Sequence, residues 1–394
     1  MDWISKLRFR MDSLAVFEEL KQDAAVSRLM CYLSKPSAAA YSAFVSSLYR
    51  ANGGNLAAHI KEISEICPTP YVKRKARGEG IDRCLKDALD SELETLQSVA
   101  DLTPQDLTAL LTCRDGLPGF VSGGVDIAGN YREHVDGINR FGYGMYAKHR
   151  AFFVDDAGCI NPIRRPDTTR LSQLFGYREQ RGKVLDNTVA FLRGLPASHV
   201  CLTGDAGTGK SATVKALVNE YYEQGLRIVE VRKDQLSRLP GVIDELADQP
   251  LKFIIFLDDL SFRENDDAFN GFKAILEGSV ASNPSNILIY ATSNRRHIVR
   301  ETFSDRDGDE IHRNDAMQET ASLSERFGLR VTFGKPDKNT YLAIVAHLAE
   351  QSGIAVDDDL RIAAERFALN KTGRSARAAK QFVDSLISGN GDGE

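Results

Sequence analysis

Few folds are open to a chain in which a strand runs into a glycine-rich loop and the loop opens straight into a helix. Residues 199–222 read that way. Val200, Cys201 and Leu202 form the end of an apolar strand. Gly204-Asp205-Ala206-Gly207-Thr208-Gly209-Lys210-Ser211 follows, and Ala212 to Tyr222 has helical character. This is G-x-x-x-x-G-K-S in the context of a phosphate-binding loop. Gly204, Gly207 and Gly209 let the backbone turn tightly, so that successive N–H groups face phosphate oxygens. The start of the following helix adds its partial positive charge. Lys210 would reach the β- and γ-phosphates, and the Ser211 hydroxyl would ligate Mg²⁺.

The stretches after the loop extend the pattern. Gln224-Gly225 closes the first helix, and Leu226–Val231 reads as a second strand. Leu239–Leu246 is a short helix. Lys252-Phe-Ile-Ile-Phe-Leu-Asp258-Asp259 is a continuous apolar run, as a central parallel strand requires. It ends in two carboxylates at the sheet edge where ligands bind in doubly wound folds. Asp258 would hold Mg²⁺ through water opposite Ser211, and Asp259 would orient or deprotonate an attacking water. Asp266–Ser279 reads as an amphipathic helix with Phe269, Phe272, Ile275 and Leu276 on one side. A fourth strand, from Asn286, ends in Thr292-Ser293-Asn294, where Asn294 suits holding a water against a γ-phosphate. Arg295, Arg296 and Arg300 follow. Residues 304–319 are acidic and read as a solvated loop rather than a metal site. Leu329–Phe333 is the last strand, preceded by Ser322–Gly328 with Arg326 beside Phe327. Three amphipathic helices at about 338–352, 357–370 and 375–388 make a small helical domain.

The first 165 residues are less informative. Residues 1–115 have helical periodicity, broken at Pro36 and at Cys67-Pro68-Thr69-Pro70. Lys73-Arg74-Lys75-Ala76-Arg77 reads as a solvated basic loop; a contact for an acidic partner is the sharper alternative. Residues 116–165 mix glycines with aromatics that suit packing better than base stacking, because positive charge between them is sparse. Ala151–Val154 and Cys159–Ile163 form a possible hairpin around Asp155-Asp156-Ala157-Gly158. The division expected is 1–115 helical, 116–165 connector, 166–336 P-loop core and 337–394 helical lid. The fold expected is α/β, a P-loop NTPase with a five-stranded parallel sheet.

Bulk properties narrow the function classes. With 50 Lys plus Arg against 55 Asp plus Glu, the net charge of −5 argues against a protein coated in nucleic acid. Apolar runs such as Phe253–Leu257 are too short to span a bilayer. Asp2 and Asp12 interrupt any signal-like segment. The six cysteines include no C-x-x-C pair, so neither zinc nor a disulfide framework is expected. A reduced, cytoplasmic protein without membrane contact is the expectation.

From about Gly142 to Leu386 the chain resembles AAA+ ATPases and, more narrowly, the bacterial DUF815 family of uncharacterised ATP-binding proteins. The stretches that carry the resemblance are Gly204–Ser211, Phe253–Ser261, Tyr290–Thr302, Ser322–Gly328 and Gly373–Asp384. The likeness implies MgATP bound by Gly204–Ser211 (Walker A) with Ala212, and Asp258-Asp259 as Walker B. Asn294 would be sensor 1, and Arg326 the arginine finger reaching a neighbouring subunit's γ-phosphate. Arg377 or Arg374, with Arg377 preferred, would be sensor 2. Leu174, Gly176 and Tyr177 resemble the segment lining the adenine pocket. A trans-acting arginine implies a homo-oligomer, commonly a hexameric ring, in which hydrolysis depends on assembly. An unknown protein or nucleic acid would engage the N-terminal region.

Two departures bear on activity. Most AAA+ proteins carry Asp-Glu at Walker B. Asp259 is one methylene shorter, a displacement of about an ångström that can cost ~10²-fold; Glu264 is a possible substitute. The loop Arg232–Pro240 lacks the aromatic of threading unfoldases, and Arg232, Lys233 and Arg238 could instead meet a polyanion or acidic partner. Three activities stand at this stage. They are an ATPase that remodels or assembles a macromolecular partner, a nucleotide switch or loader with slow hydrolysis, and, least favoured, a P-loop kinase.

Overall fold

A computed structural model describes residues 3–260, 284–294, 326–371 and 373–389, with short stretches at 262–263, 272–273, 275–276 and 299–300. Glu264, Arg295, Arg296, residues 304–319 and most of 266–279 and 322–325 lie outside the described residues. The chain divides into two units: Met1–Lys148 with Asp248–Leu251, and His149–Ala247 with Lys252–Glu394. Residues 116–148 thus lie in the first unit and 149–165 in the second.

The first unit is helical. Its longer helices are Trp3–Asp12, Ala24–Ser34, Ala38–Asn52, Leu56–Ile66, Arg83–Ala100 and Ile127–Asp136. Asp23, Ser37, Asn55 and Asp126 cap four of them, each side chain accepting from an N–H of the first turn. One apolar core runs through Phe17, Tyr32, Tyr41, Phe44, Ile60, Leu93 and Tyr131. The buried Glu92 carboxylate accepts from the N–H groups of Ala15 (2.8 Å), Val16 (3.1 Å) and Phe17 (2.9 Å), pinning that bend against helix 83–100. The basic cluster is matched by acids within this unit. Arg74 pairs with Asp82, Lys75 with Asp136, and Arg77 with Glu79 and Asp248.

The second unit is α/β. Its strands are β1 (Ala151–Val154), β2 (Ile160–Pro162), β3 (Val200–Gly204), β4 (Leu226–Glu230), β5 (Lys252–Leu257), β6 (Phe262–Arg263), β7 (Ile287–Ser293), β8 (Val299–Arg300) and β9 (Leu329–Phe333). The main sheet has seven strands in the order β2-β1-β4-β5-β7-β3-β9, and β6 pairs with β8 in a second, two-stranded sheet. The expected count of five is therefore corrected. Five parallel strands are present as read, but the 151–162 hairpin joins them, β1 lying parallel to β4 with Ala151 opposite Ile228. Among the described residues only the β1–β2 pair is antiparallel. Local turn signals announce a hairpin; which strand it pairs with is decided by cross-strand packing that they do not encode.

Burial explains the centre of the sheet. β7 is buried at every position, and β5 from Phe253 to Leu257, as strands covered on both faces must be. Helices Arg178–Leu192 and Lys210–Tyr221 supply Val184, Phe191, Val214, Leu217 and Val218 to that core. Two buried polar side chains next to the sheet are satisfied. The Tyr290 hydroxyl meets Thr188 (2.8 Å) and Asn187 (3.1 Å), and His199 Nδ1 accepts from the Ile289 N–H (3.0 Å). That bond fixes the neutral tautomer carrying its proton on Nε2, and burial lowers the His199 pKa accordingly. Helices Lys338–Gln351, Asp358–Asn370 and Ala376–Ile387 close a separate small core around Tyr341, Ile344, Ala364 and Phe382. Among the described residues no helix is long and apolar enough to cross a membrane.

Candidate nucleotide site

The loop after β3 has the backbone its glycines predict. Gly204, Gly207 and Gly209 take φ values of 130°, 76° and 93°. Gly204 lies opposite Phe333 of β9, so close that a Cβ would sit 1.9 Å from the Phe333 carbonyl oxygen. Only glycine allows this approach. Thr208 and Thr213 tie the turn, their hydroxyls donating to the carbonyls of Asp205 (2.9 Å) and Gly209 (2.8 Å). Ala206 and Ala212 complete the loop and the first helical turn.

The two carboxylates and the polar end of β7 meet this loop because β3, β5 and β7 are adjacent and parallel. Their C-terminal ends share one edge. Lys210 is buried, and its ammonium donates to the Gly204 carbonyl (2.9 Å), the Asp205 carbonyl (2.8 Å) and Asn294 Oδ1 (2.9 Å). Burial lowers the Lys210 pKa, against the opposing pull of Asp205, Asp258 and Asp259, and Arg377 adds to the lowering. Ser211 Oγ donates to Asp258 Oδ1 at 2.6 Å. A hydroxyl and a carboxylate oxygen are the hard donors that Mg²⁺ prefers, so these residues fit the ion implied by the sequence.

Thr292 joins the two acids. Its hydroxyl donates to Asp258 Oδ1 (2.6 Å) and accepts from the Asp259 N–H (2.9 Å), while its carbonyl accepts from Leu260 N–H (2.7 Å). Asp259 is held at φ 51°, in the left-handed region. Asp tolerates that conformation better than most residues with a side chain. Its Oδ1 accepts from Asn294 Nδ2 at 2.7 Å. Lys210, Asn294 and Asp259 therefore form one chain of contacts, and Ser211, Asp258 and Thr292 another. The sequence alone assigns Thr292 no role. The signal was the polar triplet Thr292-Ser293-Asn294 closing an apolar strand.

A cavity of about 110 Å³ adjoins the loop, with Leu174, Tyr177, Thr208, Gly209, Ile344 and Lys380 among its lining residues. Gly176 (φ 78°) and Tyr177 (φ 51°) turn the 174–177 segment into it. The Tyr177 ring lies 5.2 Å from that of Phe333, and its hydroxyl donates to the Gly334 carbonyl (2.7 Å). Burial, with Asp205 adding to it, pushes the Tyr177 hydroxyl up to about 12. The Phe175 ring stacks on His347 of the helical region, centroids 4.7 Å apart. The Arg181 guanidinium donates to the Leu174 carbonyl.

The two arginines at the start of the last helix differ. Arg374 makes a bidentate pair with Glu365 at 2.6 and 2.8 Å. Arg377 donates its backbone N–H to the Gly207 carbonyl at 3.0 Å. Among the described residues no carboxylate pairs with its guanidinium. Arg326 is not brought to the loop. It precedes Leu329, which pairs with Val200 at the opposite end of β3 from Gly204. At about 3.3 Å per residue that separation is on the order of 15 Å. The 232–240 segment, read as a loop, is a 3-10 turn at Lys233–Arg238 running into a helix from Leu239, and Arg232 at its start pairs with Asp156 and Asp234.

A family model described as a protein of unknown function (DUF815) matches residues 147–390. No curated protein matches the chain. Among solved structures, the Thermotoga maritima RuvB Holliday junction branch migration motor is similar at 15% identity, covering 56% of this chain and 64% of its own, with a TM-score of 0.39. Two variants of that motor match at 14% and 16% identity, with TM-scores of 0.38 and 0.39. The chain thus spans just under two thirds of the length of the motor it matches.

Proposed function

The chain belongs to the DUF815 family, and we propose that it is an AAA+ ATPase that binds and hydrolyses MgATP at subunit interfaces to remodel or assemble a macromolecular partner. The observation that carries this reading is the convergence of Lys210, Ser211, Asp258, Asp259 and Asn294 within hydrogen-bond distance at one sheet edge. Lys210 would neutralise the β- and γ-phosphates, and Ser211 with Asp258 would hold Mg²⁺. Asp259 would take the proton of the attacking water, with Asn294 setting that water's position. The adenine would lie between Leu174–Tyr177 and the 337–394 lid. Arg377 is the lid arginine assigned to the phosphates, because Arg374 is engaged by Glu365.

Arg326 is assigned to a neighbouring copy. Its place at the far edge of the sheet from Gly204 suits a residue that completes a site in trans. The core 166–336 would carry the chemistry, and residues 1–115 would engage a protein or nucleic-acid partner. A slow switch or loader is the second reading. It is favoured by the short Asp259 carboxylate, already engaged by Asn294. The deciding experiment follows ATP turnover per subunit against protein concentration for wild type and Arg326→Ala, with Lys210→Ala as the binding-deficient control. We expect turnover to rise steeply with concentration and to fall at least ~10³-fold in Arg326→Ala. Flat turnover with a neutral Arg326→Ala would overturn the shared site. Turnover near background in wild type, with nucleotide-dependent assembly intact, would select the switch.

A further inference from the structure

On the side of the second unit remote from β9, the sheet carries a cavity of about 240 Å³. Its apolar wall comes from Ala151 and Phe152 of β1, Ile228 of β4 and Val218 of helix 210–221. Arg150, Arg165 and Lys215 also line it, with Asp167 and Glu230. Among the described residues none of the three cations has a carboxylate within ion-pair distance. Arg150 Nε is buried and has no hydrogen-bond partner among the described residues. A buried donor left unpaired is costly, so it needs an account.

The site is built rather than incidental. Asn219 Nδ2 donates to the carbonyls of Asp167 (2.9 Å) and Thr169 (2.8 Å), fixing the 165–169 segment against helix 210–221. The Ile228 N–H donates to the Arg150 carbonyl (3.0 Å), fixing that residue at the start of β1. The Asp167 carboxylate is taken by the Thr169 N–H at 2.7 Å. Three cations against two acids, over an apolar wall, suit a ligand with one anionic end and one apolar end. The volume lies below the range of about 300–1,000 Å³ that takes drug-sized ligands, which limits the ligand to a small molecule. Guanidinium forks match the oxygens of carboxylate and phosphate groups.

We propose that this cavity binds a small organic oxyanion, a phosphate monoester or a carboxylate with an apolar body, at a site separate from the phosphate loop. The proposal does not depend on the ATPase reading. Titration calorimetry on the full chain, in phosphate-free buffer, with phenyl phosphate and with benzoate tests it and tells the two anion types apart. We expect saturable binding of at least one probe. That binding should weaken about tenfold or more in Arg165→Gln and in Lys215→Gln and persist in Lys210→Ala. Arg165 is exposed, so its variant keeps the test valid if Arg150→Gln fails to fold. Binding lost in Lys210→Ala but kept in Arg165→Gln would place the probe at the phosphate loop and overturn the proposal. Saturable binding of neither probe, or binding unchanged in every variant, would overturn it as well.

Discussion

Replacing Gly204 by alanine tests the close approach on which the 204–211 loop depends. The added Cβ would lie 1.9 Å from the Phe333 carbonyl oxygen and 2.6 Å from its carbon. These are backbone atoms, so no rotamer change relieves the contact, and β3 and β9 must move apart by about an ångström to restore van der Waals distance. The same carbonyl accepts from the Asp205 N–H at 3.2 Å, so the shift also loosens the loop. A φ of 130° adds its own penalty for a residue with a Cβ. Backbone strain of about 1–3 kcal/mol and overpacking of about 1–3 kcal/mol together give a loss of roughly 2–6 kcal/mol. For a unit of this size that lowers the melting temperature by on the order of 5–20 °C. Gly182→Ala is the control. Gly182 lies inside helix 178–192, and a Cβ added there would have nothing within 4 Å. That variant should gain up to about 1 kcal/mol from helix propensity. Calorimetric melts of the two variants beside wild type measure both effects, and Gly182→Ala marks the second unit's transition. A Gly204→Ala melt within a degree of wild type would refute the reasoning.

Two further predictions concern the first unit. Glu92→Leu orphans the N–H groups of Ala15, Val16 and Phe17. It should cost about 3 kcal/mol and accelerate hydrogen exchange at those three amides; unchanged exchange there would count against the pin. Asp23 is pushed up by burial, but the His59 hydrogen bond and the N–H groups of Val26 and Ala25 outweigh this and hold its pKa below the ordinary carboxylate value. A lowered folded-state pKa contributes stability above the unfolded pKa of about 3.9, and that contribution is lost as pH falls through the folded value. The stability difference between wild type and Asp23→Asn should shrink as the pH falls below about 4. A difference that stays constant down to pH 2 would contradict it.

Much of the candidate site was legible because its signals are local. Glycines at fixed spacing, an apolar run ending in Asp258-Asp259 and a strand ending in Asn294 each mark a sheet edge without knowledge of the partner strands. The three C-terminal helices were legible from their amphipathic periodicity, and in the structure Asp337, Asp357 and Ser375 cap their starts. The seven-stranded architecture was not, since the pairing of β1 with β4 depends on surfaces far apart in sequence. Neither was Thr292, whose hydroxyl has meaning only once β5 and β7 lie side by side. Arg227 is a similar case. The sequence assigns it no partner, and in the structure the guanidinium is buried over the Tyr222 ring at 4.2 Å and donates to the Tyr222 carbonyl. Burial pulls its pKa down to about 10.

The three oxygens around the Lys210 ammonium bear on how a ligand would be felt there. A phosphate oxygen reaching that ammonium exchanges one acceptor for another instead of adding a bond. Such an exchange releases little heat from hydrogen bonding itself. The gain comes from the extra negative charge and from water and counterions set free. Affinity at this lysine should therefore carry a small calorimetric enthalpy and a marked dependence on ionic strength.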